Sequence, residues 1–239
     1  QIVALTTTQL RGLSSTDLGE LPVAVVSALS AAQIAALTAA GSPGLTEEQL
    51  AHLSTTQVRA LSASAIKGLA DTQLAALDRT QFAALSATAV SGLTATQIAS
   101  LTESQIAALA TTQLSALTKA QIASLSDTQV ASLSTTQLAR LTTTQIASLT
   151  SDATAGLSET QLGALSLAQM RALAGASVSA LSATQLAALT STQLAALTAT
   201  QLAALTATDL GEMSRTELAV LSATQIAALS PTALQGLSA

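Results

Sequence analysis

Leucine stands at position 5 and at every eighth position after it up to 237, thirty sites in all, with Met213 the only substitute and no insertion anywhere. A period this short leaves few folds open. A unit of eight residues cannot bury its own apolar side chains, so it has to stack on its neighbours, and the result is a solenoid. With that Leu as octad position one, a representative unit is Leu197-Thr198-Ala199-Thr200-Gln201-Leu202-Ala203-Ala204. Position two is Ser or Thr in twenty-five of thirty units, with Asp78 in one more and Pro22, Ala70, Ala110 and Ala174 as departures. Position five is Gln in twenty of thirty, with Asp17, Asp209 and Glu217 as acidic variants. Position six is aliphatic or Phe82 in every unit except those holding Ser42 and Thr154, and positions seven and eight are small.

These preferences spell a helix start once per unit. Ser/Thr-x-x-Gln is a capping box, in which the hydroxyl accepts from the N3 amide and the Gln reaches back to the N-cap amide. Leu at position one and the apolar residue at position six then fall at N′ and N4, the two halves of a hydrophobic staple. Charge placement agrees with the helix dipole: position three holds Glu47, Asp71, Glu103, Asp127 and Glu159 against Arg79, Lys119 and Arg215, whereas position seven holds only Arg11, Arg59, Lys67 and Arg171. One continuous helix is excluded. Eight residues at about 100° each turn the Leu stripe by about 80° per unit, so it would wander around the helix. A parallel β-solenoid is the alternative, but Ala and Gln are poor strand residues, and positions one and six fall on opposite faces of a straight strand.

Glycine carries a second period. Gly19, Gly44, Gly68, Gly92, Gly163, Gly211 and Gly236 sit at position seven or eight of units that all belong to one of three classes modulo 24, and only Gly12 and Gly156 occupy those positions elsewhere. Six of the ten departures from Gln at position five fall in the same class. The expected fold is therefore an all-α solenoid of short capped helices, one per octad, with three octads (24 residues) per coil and one corner that turns differently. Ten coils at ordinary helix packing distances predict a rod of roughly 80–100 Å. Residues 1–239 read as one uninterrupted array, expected to be a segment of a longer protein. The stretches at Pro22–Val26, Gly41–Gly44, Ser151–Thr154 and Ala174–Ser177 read as tolerated irregularities.

The composition narrows function mostly by exclusion. Eight Lys and Arg against thirteen Asp and Glu give a net charge of −5, the opposite of a nucleic-acid footprint, and the lack of Trp and Tyr removes base-stacking platforms. Mean hydropathy is +0.53, but it comes from alanine, and Gln185, Gln193 and Gln201 interrupt the charge-free stretch from Ala172 to Thr208, so no membrane span is expected. There is no Cys and one His. The best catalytic or metal candidate is Glu47, Glu48 and His52, where Glu48 and His52 are spaced to share a helix face; first-turn acids and a helix-end His account for the same residues. Asp78-Arg79 reads as an N-cap beside an exposed Arg. No catalytic, cofactor or metal residue, and no small-molecule substrate, is expected.

The pattern Leu-(Ser/Thr)-x-Thr-Gln-(Ile/Leu)-Ala-(Ala/Ser) resembles the low-charge Thr/Gln/Ala octapeptide arrays of very large exported or cell-surface proteins of bacteria. The resemblance spans the whole chain and implies an extracellular stalk or adhesin-like array. The expected function is a structural rod or filament segment whose partners are itself, end to end, or neighbouring repeats, with Leu218, Ile226 and Leu234 on the last stacking face. The alternative is a binding module that engages a glycan, ice or a protein through a flat face carrying hydroxyls at positions two and four.

Overall fold

The computed structural model describes residues 4–238. Among them are 28 α-helices of four to six residues, 3-10 turns at Ser42–Gly44 and Gln235–Ser238, and no strand, which rules out the β-solenoid. Helices this short are unstable alone and persist because stacking supplies what propensity does not. Contacts group the chain into two compact units, Gln1–Ser124 and Leu125–Ala239, with the octad register unbroken through both.

The turn between helices uses only right-handed and extended backbone. Thr94 is a typical N-cap, at φ −76° and ψ 162°, and starts the Ala95–Ser100 helix; Leu101 closes it at φ −64° and ψ 144° and donates its N–H to the Ile98 carbonyl. Two extended residues, the Leu and the hydroxyl cap after it, make the corner. No described residue has positive φ, so the left-handed glycine stop that ends many helices is not used. The caps are as the spacing predicts. In the Ala199–Ala203 helix the Thr198 N–H donates to Gln201 Oε1 at 2.8 Å, and the Gln201 N–H donates to Thr198 Oγ1 at 3.2 Å. Where the cap is Ala70 or Ala110 half of the box survives: Gln73 and Gln113 still accept from the cap N–H, at 2.6 and 2.5 Å, but no hydroxyl is there to answer.

Each helix stacks on the third helix before it and the third after it. Thr55–Ala60 lies between Ala31–Ala35 and Arg79–Ala84 in the first unit, and Ser151–Ala155 lies between Asp127–Ala131 and Gly175–Ser179 in the second. The coil is therefore three octads. The side chains at position six fill its centre and are wholly buried, from Ile34, Val58 and Phe82 to Leu138 and Leu162, with Leu at position one packed between successive coils. Each such side chain contributes about 1.5–3 kcal/mol of burial. The irregular stretches keep eight residues. Pro22 starts the Val23–Ser27 helix without a side-chain cap, and only Gly41–Gly44 loses its α-helix, becoming the Ser42–Gly44 turn.

Candidate functional site

Glutamine at position five has a second task beyond capping. Its Oε1 faces the cap of its own helix, which aims its Nε2 at the coil before. Gln57 Nε2 donates to the carbonyls of Ser27 at 2.9 Å and Leu29 at 2.8 Å. Gln97 reaches Ile66 at 3.1 Å and Leu69 at 2.7 Å, and in the second unit Gln201 reaches Met170 and Leu173, both at 2.8 Å. The acceptors are the carbonyls of positions six, seven and one, exposed by the helix end and the extended corner of the earlier coil. The same Gln thus satisfies an orphan N–H of its own helix and orphan C=O groups of another, and does so while 1–8% exposed through the interior coils. No described buried side-chain polar atom lacks a partner.

Polar residues at other buried positions follow the same rule. Ser42, fully buried at position six, donates to the Ala65 carbonyl at 2.8 Å, and Thr154 donates back to the Thr150 carbonyl at 2.8 Å. Asp209, which cannot donate, instead accepts from the Thr206 N–H at 2.6 Å and from the Ser179 hydroxyl at 3.2 Å. Asp17 accepts from the backbone and side chain of Ser14, which holds its carboxyl below the usual carboxylate value of 3.8 despite an opposing desolvation.

The glycines separate into two kinds that the three-class period had merged. At position eight, Gly44, Gly68, Gly92, Gly156 and Gly236 lie on the backbone of position three in the coil before; an added Cβ would come within 1.8 Å of the Ser15 oxygen at Gly44 and 2.6 Å of the Ala63 oxygen at Gly92. Each of these octads has a small residue at position five: Gly41, Ala65, Ala89, Ala153 and Ala233 respectively. Without the Gln side chain between them the two backbones touch, and only Gly leaves room. At position seven, Gly163 has nothing within 4 Å of its Cβ direction. Gly156 lies outside the glycine-rich class, so the pairing of positions five and eight, rather than a special corner, decides where close-contact glycine falls.

The catalytic candidates do not assemble. His52 Nδ1 lies 2.8 Å from the backbone oxygen of Glu48, as a helix-end side chain does, and takes no contact from the Glu48 carboxylate. Asp78 accepts from the Gln81 N–H at 2.7 Å as the N-cap, with Arg79 at the first helical position. No group of three or more His, Cys, Asp and Glu that could hold a metal occurs among the described residues, and none of their helices is long and apolar enough to cross a membrane. Open clefts recur between successive coils, lined by the same octad positions: Ser158, Thr160, Ser182 and Gln185 in one, Ser86, Thr112 and Gln113 in another, and Thr46, Glu47, Thr72 and Gln73 in a third. Hydroxyls at position four pair with cap hydroxyls in several octads, Thr102 with Ser104 and Ser182 with Thr184 at 3.0 Å each. No protein-family model matches the chain, and comparison with curated proteins returned no match.

Proposed function

We propose that the chain is a structural segment, a spacer or self-assembling filament element of an exported or cell-surface protein, and not an enzyme. One observation carries this reading. Every octad position with restricted chemistry is consumed by the architecture: one and six by the core, two by the cap, five by the ladder. Positions three and four remain for solvent and share no ionisable, aromatic or metal-binding chemistry from unit to unit. A chain whose selected residues all serve coil on coil is built to extend. Sedimentation and small-angle scattering on the 239-residue chain test it: an elongated particle is expected, and a compact sphere overturns the proposal.

The second reading, a binding module for a glycan or ice lattice, is favoured by the exposed Thr136, Thr160, Thr184, Thr208 and Thr232, which place a position-four hydroxyl in consecutive coils of the second unit. Saturable binding on a glycan array, or inhibition of ice recrystallisation, would promote it above the spacer.

A further inference from the structure

The two sides of a coil carry different chemistry. Toward its N-terminal side a coil offers the Leu of position one and the amide Nε2 of position five. Toward its C-terminal side it offers the position-six side chain and the carbonyls of positions one and six. The first described coil displays one side: Leu5, Leu13 and Leu21 are half-exposed while Leu10, Leu18 and Val26 are buried. Gln9 there accepts from the Thr6 N–H, and its Nε2 makes no hydrogen bond among the described residues. The last coil displays the other side. Leu221 and Leu229 are 7% and 6% exposed, whereas Ile226 and Leu234, the counterparts of wholly buried position-six residues, are 46% and 39% exposed. Gln225 still holds the Ala195 and Leu197 carbonyls at 3.1 and 2.9 Å, so stacking chemistry persists to that face.

We infer that the chain associates in one polarity only, head to tail, and that the partner its terminal faces fit is a second copy of itself; this rests on the self-assembly reading above. Head-to-tail contact seats Leu5, Leu13 and Leu21 against Leu218, Ile226 and Leu234. It also carries Gln9 Nε2 to the carbonyls of Leu218 and Leu221, which stand to it as the Leu194 and Leu197 carbonyls stand to Gln225. Head-to-head contact sets amide donors against donors and tail-to-tail contact sets carbonyls against carbonyls, and each leaves buried polar groups unsatisfied. The head-to-tail contact is heterologous and does not close on itself. Its strength is tuned at the ladder position: of the three such residues in the first coil, Gln9 donates, Val25 is apolar and Asp17 presents an acceptor to an acceptor face.

The chain has no Cys, so single labels at Thr8→Cys or Thr232→Cys report each end by energy transfer. Transfer is expected when a Thr8-labelled and a Thr232-labelled population are mixed, and absent when either is mixed with its own kind. Ile226→Lys should abolish it, Gln9→Glu should weaken association about tenfold, and Asp17→Gln should tighten it severalfold. Circular dichroism checks that each variant keeps its helices. Association seen by light scattering with transfer between like ends overturns the polarity while leaving self-assembly standing. Strictly monomeric chains at high concentration overturn both.

Discussion

The octads Leu93–Ser100 and Leu61–Gly68 solve the same problem by different means. In the first, Gln97 fills the space above the previous coil and bonds the Ile66 and Leu69 carbonyls. In the second, Ala65 is wholly buried with no side chain to span that space, and Gly68 brings its backbone to within 2.6 Å of the Ala39 oxygen when measured from an ideal Cβ. Both keep the serine or threonine cap, Thr94 in one and Ser62 in the other. One junction is a polar strut and the other a bare backbone contact. The capped helix is therefore separable from the fastening between coils, and the fastening is chosen by two residues, at positions five and eight.

Mixing the two junctions should be the most damaging change. Gly92→Ala, with its Cβ facing Ala63 at 2.6 Å, should cost about 2–3 kcal/mol by overpacking, whereas Gly163→Ala, in open space, should be neutral or slightly stabilising. Urea unfolding followed by circular dichroism separates them. A double-mutant cycle sharpens the comparison: Ala65→Gln and Gly68→Ala should each destabilise alone, but together should restore a strut and cost less than their sum. Additive costs would mean that positions five and eight are not a pair.

Removing a strut comes next. Gln97→Ala should cost about 2 kcal/mol, because the Thr94 N–H and the Ile66 and Leu69 carbonyls lose their partner together. Hydrogen exchange should show loosened amides both in the helix after Thr94 and in the coil before it; loosening in that helix alone would reduce Gln97 to a cap. Caps are worth less. Thr190, Thr198 and Thr206 changed to Ala should cost about 1 kcal/mol each, and Ala70→Ser or Ala110→Ser should return a similar amount, while changes at position three stay nearly silent. Thermal melts on these variants check the ranking, and equal costs at positions two and three would mean that the cap is not what holds the helix start.

The smallest effect is one of pH. The Asp17 carboxyl is held below its ordinary value by Ser14, so its contribution is fully present above the unfolded value and is lost as pH falls through the lower folded one. Asp17→Asn should therefore remove part of the decline in stability below about pH 4, read as a flatter acid limb in thermal melts.

The cap, the helix per octad and the three-octad coil were all legible in the sequence, because Ser/Thr-x-x-Gln has one local meaning and because a period of 24 in glycine has no local cause. The second hydrogen bond of Gln was not legible. Its acceptors are main-chain carbonyls of an earlier coil, and carbonyls leave no mark in a sequence. The glycines were half legible. Counting positions seven and eight together attached them to a corner, although Gly163 touches nothing and Gly156 sits in another class. Pairing each glycine with the residue three places before it, Ala65 with Gly68 or Ala153 with Gly156, was the signal that would have found the tight junction. The Glu48 and His52 pair shows the opposite failure: spacing on one helix face brought a ring nitrogen to a backbone oxygen and not to a carboxylate.

The backward reach of the glutamines has a kinetic side. Each amide bonds to carbonyls 28 and 31 residues earlier, in a part of the chain already synthesised. An octad leaving a ribosome or a narrow secretion pore therefore meets its acceptors in place and waits for nothing downstream. Sequence separations between contacting residues stay near one coil however many coils are added, so the entropy of closing each loop does not grow with length. Such an array can fold at the rate at which it is delivered, and a chain hundreds of octads long need expose little more than its newest coil.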